Sequence, residues 1–221
     1  MATHIPDGAV AGSRALIRSR AVVALAAGMV TGAFAAWAYY DDRFHPMAHS
    51  FGLWIGLLAL LSARQTPRRA IVHACLTLAA AVVTFYVGKK VMYGIDYPGM
   101  PYSINVSVLT EWLVLAVIAG VIFGWAFSWA GRPARAGALG TAAVIGLLLA
   151  DAYRRSSTYP AEATVVVAFA TITVGAVLLV TVRSWRQLAL VAVFTAPFVV
   201  LGFLLVGVPD LLEQVLLAQG S

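Results

Sequence analysis

Residues 107–135 read SVLTEWLVLAVIAGVIFGWAFSWAGRPAR, a long apolar segment that is closed by two arginines. After Glu111, no charged residue occurs until Arg132. This pattern predicts a transmembrane helix, because a helix needs about 20 apolar residues to cross a hydrocarbon core of about 30 Å. A helix is the expected element, since backbone groups in lipid must be hydrogen-bonded within their own segment.

The rest of the chain repeats this pattern of apolar segments joined by short charged connections. Of its 221 residues, 62% are hydrophobic and 11% are charged, whereas soluble domains carry about 25% charged residues. We predict an all-α polytopic transmembrane helix bundle at residues 21–208, with short tails at 1–20 and 209–221. About seven spans are expected, and the second is the shortest: 21–40, 48–63, 70–88, 107–130, 136–152, 161–182 and 187–208.

The basic residues predict the orientation of this bundle. With seven spans, ten of the 15 Lys and Arg residues fall on one side: Arg14, Arg18, Arg20, Arg64, Arg68, Arg69, Arg132, Arg135, Arg183 and Arg186. Short cytoplasmic connections are enriched in basic residues, so we predict a multipass inner (plasma) membrane protein with its N-terminus in the cytoplasm and its C-terminus outside. No removable signal peptide is expected. Since the arginines lie between spans, the net charge of +6 indicates membrane lipid as the partner rather than nucleic acid.

Three Gly-xxx-Gly patterns occur in three different predicted spans: Gly28/Gly32, Gly52/Gly56 and Gly120/Gly124. Pairs of small residues at this spacing allow two helix backbones to approach closely in a membrane. They predict a tightly packed bundle, with packing inside one chain favoured over dimerisation.

The predicted outer connections carry most of the side chains that could bind a ligand. Lys89 and Lys90 end the third span, and Glu111 begins the fourth. They could form a Lys–Glu pair, point to headgroups, or hold an anionic ligand or lipid phosphate. Asp151 lies at or just inside the end of the fifth span. It could pair with Arg154, Arg155 or the lysines, or be an ordinary loop acid. The predicted ligand-binding residues are therefore Lys89, Lys90, Glu111, Asp151 and Arg154.

His45 and His49 form a candidate metal site in the sequence FHPMAH. Residues four apart share one helix face, so the two imidazoles could hold Cu, Ni or Zn. Pro46 lies between them and no third ligand is fixed by spacing, so a polar cap on the second span is the alternative. Asp41 and Asp42 could contribute ligands. Cys75 is alone, which excludes a disulfide framework and a paired-cysteine metal site.

Catalytic motifs are absent from the sequence. It contains no phosphate-binding loop, no HExxH, no GxSxG and no aspartate-rich diphosphate motif. We therefore expect no catalytic residues and no cofactor.

The segment His4–Gly8, HIPDG, resembles the start of the substrate-binding membrane subunits of nickel and cobalt importers. The resemblance implies metal binding by an N-terminal amine and histidine on the outer side of the membrane. In that family the histidine is residue two, whereas here Ala2 and Thr3 precede it, and the predicted N-terminus is cytoplasmic. Removal of Met1 would expose Ala-Thr-His, which can chelate Cu(II) or Ni(II).

A second resemblance covers about residues 20–155. HSFGLWIGLLALLSAR, followed by an alanine-rich span ending in FYVGKK, is similar to a bacterial family of small multipass membrane proteins of unknown function. The matching residues are Ser50, Trp54, Arg64, Ala119, Gly120, Phe123 and Gly124. The family pattern would place a glutamate near Asp151. The resemblance implies a fold and a membrane location, and no activity.

Three functions follow from these observations. The first is binding or transport of a small solute or lipid headgroup from the outer face. The second is a non-catalytic accessory or assembly subunit that holds a protein partner in a larger membrane complex, and the third is a component of Ni, Co or Cu uptake. Transport predicts that the outer polar residues converge on a cavity between helices. An accessory role predicts that they are spread over a surface, with a lipid-facing glycine stripe.

Overall fold

The structure, a computed structural model, describes the backbone of residues 7–219 and the side chains of residues 20–205 and Gly207. This part of the chain is helical and contains no strand. Its helices are α1 (Asp7–Ala38), α2 (His45–Ala48), α3 (Gly52–Ser62), α4 (Pro67–Asp96), α5 (Val106–Phe127), α6 (Ala134–Thr158), α7 (Ala163–Thr181) and α8 (Trp185–Gln219). A single 3-10 turn, Pro160–Glu162, precedes α7. His4 and the HIPDG segment up to Pro6 lie outside the described residues.

Six of these helices are long and apolar enough to cross a membrane: α1, α4, α5, α6, α7 and α8. They confirm the prediction of a polytopic helical bundle. The remaining apolar helix, α3, has only 11 residues. At about 1.5 Å per residue it is roughly 16 Å long, about half of the hydrocarbon thickness.

Helix α3 nevertheless belongs to a crossing segment, because the helices before and after it are parallel. The position of Gly28 on α1 lies against Thr77 on α4, and Gly32 lies against Ala81. A step of four residues along α1 corresponds to a step of four residues in the same direction along α4, so the two helices are parallel. The chain between them must therefore return from the end of α1 to the opposite end of the bundle, where α4 begins. This second crossing consists of α2, a non-helical stretch at Ser50, and α3.

The second span was predicted to start near residue 48, and the structure begins α3 four residues later, at Gly52. The reason is local. The hydroxyl of Ser50 accepts a hydrogen bond from the backbone N–H of Gly52 at 3.0 Å. Such side chain–backbone bonds offer the chain an alternative to helix.

Helices α4 and α6 extend beyond their predicted ends, to Asp96 and Thr158. Each stops at a residue that precedes a proline, Tyr97 or Tyr159, which has left the helical region with φ of −129° or −125°. Proline disfavours helical geometry in the preceding residue. Lys89, Lys90, Asp151 and Arg154 consequently lie on helices rather than in loops.

A second parallel pair resembles the pair of α1 and α4. On α6 and α8, Gly146 lies against Phe198, and Gly202 against Ala150. The bundle thus contains two three-helix groups with the same order of directions, α1-α3-α4 and α6-α7-α8, linked by α5. The middle helices pack differently, because α3 lies mainly against α4 and α6, whereas α7 lies mainly against α6.

The three Gly-xxx-Gly patterns all face helices of the same chain. Gly28 and Gly32 contact α4, Gly56 contacts Thr173 on α7, and Gly120 and Gly124 contact the first half of α4. A Cβ atom at Gly28 would lie 2.2 Å from the carbonyl oxygen of Thr77. The prediction of packing within one chain is confirmed.

Most of the described arginines lie at one end of the bundle, and the tyrosines lie at the other. Arg20, Arg64 and Arg132 lie at one end, which we call the arginine end, where the Arg64 side chain donates to the carbonyl of Gly131 at 3.0 Å. Tyr39 and Tyr159 lie at the other, which we call the tyrosine end. Which end faces the cytoplasm stays a prediction from the arginine pattern.

Candidate functional site

Asp151 is a carboxylate in the interior of the helix bundle. Asp151 is 1% exposed, and it is the only buried acidic residue among those whose side chains the structure describes. It lies seven residues before the end of α6 at Thr158, roughly 10 Å along the helix axis from the tyrosine end. An ionisable side chain at this depth in a membrane protein is a functional candidate in itself, because burying its charge is costly.

The carboxylate holds the beginning of helix α3. Its Oδ2 accepts hydrogen bonds from the hydroxyl of Ser50 at 2.5 Å and from the backbone N–H of Gly52 at 2.9 Å. Gly52 is the first residue of α3, and the N-cap residue Phe51 makes no side-chain cap. Asp151 therefore satisfies an N–H that the helix itself cannot pair, and it places negative charge at the positive end of the helix dipole.

Arg154 supplies a positive charge one turn further along α6. Its guanidinium lies 3.6 Å from Oδ1 of Asp151, and its side chain is 12% exposed. The same guanidinium lies over the ring of Phe51, 5.3 Å from the ring centre. Among the described residues, Oδ1 of Asp151 has this ion pair and no hydrogen bond. Oδ2 of the carboxylate thus accepts two hydrogen bonds, and Oδ1 retains the capacity to accept one.

The walls around this carboxylate are apolar and close-fitting. Leu148 and Ala152 of α6 and Val166, Phe169 and Ala170 of α7 line the space beside it, which is too narrow to hold a water molecule. Little room for a side chain remains at Gly52, because a Cβ atom there would lie 3.0 Å from Ser50 Oγ and 3.4 Å from Oδ2 of Asp151. We call Ser50, Gly52, Asp151 and Arg154 the α3–α6 junction.

A second cluster of polar rings lies at the tyrosine end. The Nζ atom of Lys89 is 3.6 Å from the ring centre of Tyr39, a cation–π contact. Nδ1–H of His45 donates to the carbonyl of Tyr39 at 2.8 Å, and the rings of His45 and His49 are 4.8 Å apart. Tyr159 packs against both histidine rings. We call these five residues the Tyr–His cluster.

Two tyrosines near this cluster, Tyr40 and Tyr102, have raised pKa values. Burial raises the pKa of Tyr40, and the nearby Tyr102 and Tyr39 raise it further. Burial also raises the pKa of Tyr102. The Tyr40 hydroxyl donates to the carbonyl of Lys89 at 3.3 Å, which joins the end of α1 to α4.

The structure brings together some of the predicted ligand-binding residues and separates others. Asp151 and Arg154 form the ion pair, which was one of the alternatives left open by the sequence. Lys89 lies in the Tyr–His cluster, and Lys90 is exposed. Glu111 is also exposed, accepts a weak hydrogen bond from Ser107 at 3.4 Å, and forms no ion pair with either lysine in the described part of the chain. Of the five predicted ligand-binding residues, only Asp151 and Arg154 therefore contact each other in the described structure.

The metal hypothesis for His45 and His49 has no third ligand in the described structure. No group of three His, Cys, Asp or Glu side chains that could hold a metal ion occurs among the described residues. Asp41, which the sequence offered as a further ligand, instead accepts hydrogen bonds from the backbone N–H groups of Arg43 and Phe44. A site made of the two histidines stays a prediction.

Two members of the α3–α6 junction, Ser50 and Gly52, were not predicted as site residues. Ser50 lies 101 residues before Asp151 in sequence, and Gly52 lies 99 before it, so no local spacing connects them. Both had nevertheless been singled out, Ser50 by its match to a family pattern and Gly52 by its Gly-xxx-Gly spacing.

Comparison of the chain with known proteins identifies a family to which it is similar. The chain matches none of the curated proteins and none of the solved structures. A family model described as a family of unknown function (DUF6518) matches residues 12–212, a range that contains the six candidate membrane spans and the whole α3–α6 junction. The protein therefore belongs to the DUF6518 family of unknown function.

Proposed function

We propose that this integral membrane protein carries a small polar solute across the membrane, with the α3–α6 junction at the centre of the route and Asp151 as the charged group that holds the junction closed. The observation that carries the proposal is the buried Asp151 carboxylate bound to the first N–H of the short helix α3. Interrupted helices whose ends meet an ion or a charged group inside a bundle are a recurrent feature of transporters.

The arrangement of the helices supports the same proposal. Many transporters consist of repeated helix groups, with their binding sites between the groups. Here α3 belongs to the group α1-α3-α4 and Asp151 belongs to the group α6-α7-α8, so the hydrogen bonds to Ser50 and Gly52 join the two groups. A polar solute that binds to Asp151 or Arg154 would compete with the contacts of Asp151 to α3 and to Arg154, because both are charge-assisted. Loss of these bonds would free the tyrosine-end part of the second crossing to move.

The accessory-subunit hypothesis has less support. It predicts a glycine stripe exposed for a partner, whereas Gly28, Gly32, Gly120 and Gly124 are occupied by helices of the same chain. Solute binding from the outer face has more support than the accessory role, because Ser50, Asp151 and Arg154 meet inside the bundle near the tyrosine end.

Cysteine labelling tests the proposal without knowledge of the solute. Ala152 and Ala170 line the space beside Asp151 and are 9% and 7% exposed. In a Cys75→Ala background, Ala152→Cys or Ala170→Cys would be reconstituted in liposomes and treated with a membrane-impermeant maleimide. A carrier must open this space to water, so we expect slow but complete labelling, and faster labelling when Asp151→Asn is added.

The matched control is Ala142→Cys, on the same helix and 0% exposed, which should stay unlabelled over the same period. If Ala152→Cys and Ala170→Cys react no faster than Ala142→Cys, with or without Asp151→Asn, the junction does not open and the transport proposal is wrong.

A further inference from the structure

A cavity of about 390 Å³ lies at the arginine end, between α1, α3 and α4. This volume is within the usual range for small-molecule sites, about 300–1,000 Å³. Its lining combines apolar and polar residues: Val23, Ala24, Leu60, Leu61 and Ala63 are apolar, and Arg20, Arg64, Gln65 and His73 are polar. The cavity is far from the α3–α6 junction and does not depend on the function proposed for it.

The polar lining of the cavity includes fixed groups. His73 is 5% exposed, and its Nδ1–H donates to the side-chain oxygen of Gln65 at 2.9 Å. The amide nitrogen of Gln65 donates in turn to the carbonyl of Leu61. These bonds fix the positions of His73, which is buried, and Gln65, which is half-buried, beside the apolar lining residues.

The positive charge of the cavity comes mainly from Arg20. Arg64 also lines it, but the Arg64 guanidinium donates to the carbonyl oxygens of Gly131 and Val180 in neighbouring connections. Arg20 is exposed at the first turn of the α1 span. Among the residues whose side chains the structure describes, no acidic residue lines the cavity, so no carboxylate there offsets this charge.

This combination fits a molecule with an anionic head and an apolar body. A phosphate group can accept charge-assisted hydrogen bonds from a guanidinium, and an acyl chain can cover Val23, Leu60 and Leu61. Basic pockets between transmembrane helices at headgroup depth suit anionic lipids. We propose that this cavity binds the phosphate headgroup of an anionic phospholipid, with Arg20 as the residue that contacts the phosphate.

Native mass spectrometry of the purified full-length protein tests this site. The protein in mild detergent would be mixed with equal amounts of phosphatidylglycerol and phosphatidylethanolamine. We expect the wild type to retain phosphatidylglycerol preferentially, and Arg20→Gln to retain about tenfold less, the loss expected for one charge-assisted hydrogen bond. Ala63→Phe, which fills the cavity without a change of charge, should also lower retention.

Arg186→Gln is the matched control, because Arg186 is an exposed arginine at the same end that does not line the cavity. It removes the same charge and should retain phosphatidylglycerol as the wild type does. Equal losses in Arg20→Gln and Arg186→Gln would overturn the proposal in favour of general electrostatic attraction. Displacement of the lipid by an equal concentration of glycerol phosphate would overturn it as well, because the ligand would then be a soluble phosphate.

Discussion

The Oδ2 atom of Asp151 lies 2.9 Å from the backbone nitrogen of Gly52, so a side chain of α6 caps helix α3 across 99 residues of sequence. This contact provides a partner for two groups that are costly to bury unpaired, the first N–H of α3 and the carboxylate of Asp151. The first N–H of a helix that begins inside the bundle needs an acceptor, and a carboxylate inside the bundle needs donors. The hydroxyl of Ser50 and the guanidinium of Arg154 complete the pairing.

Replacing this carboxylate by an amide should destabilise the protein. Asp151→Asn keeps an oxygen that can accept from Gly52 but removes the charge beside Arg154, so we expect the free energy of unfolding to fall by about 1–3 kcal/mol. Tryptophan fluorescence during denaturation in detergent would measure it. The matched control is Glu111→Gln, at an exposed acid, which should change stability by less than about 0.5 kcal/mol. Equal effects of the two substitutions would contradict the assignment of Asp151 as a capping residue.

Ser50 and Asp151 should be energetically coupled. Ser50→Ala removes a donor to Oδ2 of Asp151 and should cost about 1–2 kcal/mol. When Asp151→Asn is already present, the additional loss should be smaller, because neighbouring residues that share a hydrogen bond are not additive. A double-mutant cycle on unfolding free energies measures this coupling, and strictly additive losses would argue against it. Ser107→Ala, at an exposed serine with a 3.4 Å hydrogen bond, is the control.

Glycine substitutions should separate packed positions from open ones. Gly28→Ala places a Cβ 2.2 Å from a backbone carbonyl oxygen of α4, so we expect a loss of about 2–3 kcal/mol through overpacking. Gly175→Ala on α7 has no atom within 4 Å of the new Cβ and should gain up to about 1 kcal/mol in helix propensity. Thermal unfolding of the two variants measures the difference, and the same sign for both would contradict the packing of α1 on α4.

Alkaline pH should destabilise the tyrosine end. The pKa of Tyr40 is raised in the folded state, first by burial and then by Tyr102. Deprotonation is therefore easier in the unfolded chain, and the stabilising contribution is complete below the ordinary tyrosine pKa of about 10 and is lost as pH rises through the folded value. Unfolding free energies measured from pH 8 to 11 should fall above pH 10, and Tyr40→Phe should reduce that slope. An unchanged slope in Tyr40→Phe would exclude Tyr40 as its source.

Thiol labelling in intact cells should establish the orientation. In a Cys75→Ala background, we expect Lys90→Cys to react with an impermeant maleimide from outside, and Arg186→Cys to react only after permeabilisation. Both parent residues are exposed, so access to the membrane side, rather than burial, determines the result. The reverse pattern would place the arginine end outside.

Features that depend on a single segment could be predicted from the sequence. The six long helices follow from apolar length, and the close approach of Gly28 and Gly32 to another helix follows from their spacing. The partner of each glycine could not be predicted, because it depends on which helices are parallel. Asp151 and Arg154 were predicted as site residues, but their contact with Ser50 and Gly52 could not be, for the same reason. The apolar segment 48–63 predicts one short helix. In the structure the hydroxyl of Ser50 bonds to the backbone and interrupts this helix, and the distant Asp151 accepts a hydrogen bond from the N–H that the interruption leaves unpaired.

The short helix α3 also constrains how the protein is made. A segment of 11 apolar helical residues is well below the length that inserts into a bilayer unaided, about 17 residues or more. Its cap, Asp151, is synthesised about 100 residues later, some 5–20 seconds at ordinary translation speeds. Until α6 is made, the first N–H of α3 lacks the carboxylate acceptor that it has in the folded protein. The first half of the chain therefore depends on the second half for the contact that stabilises the start of α3.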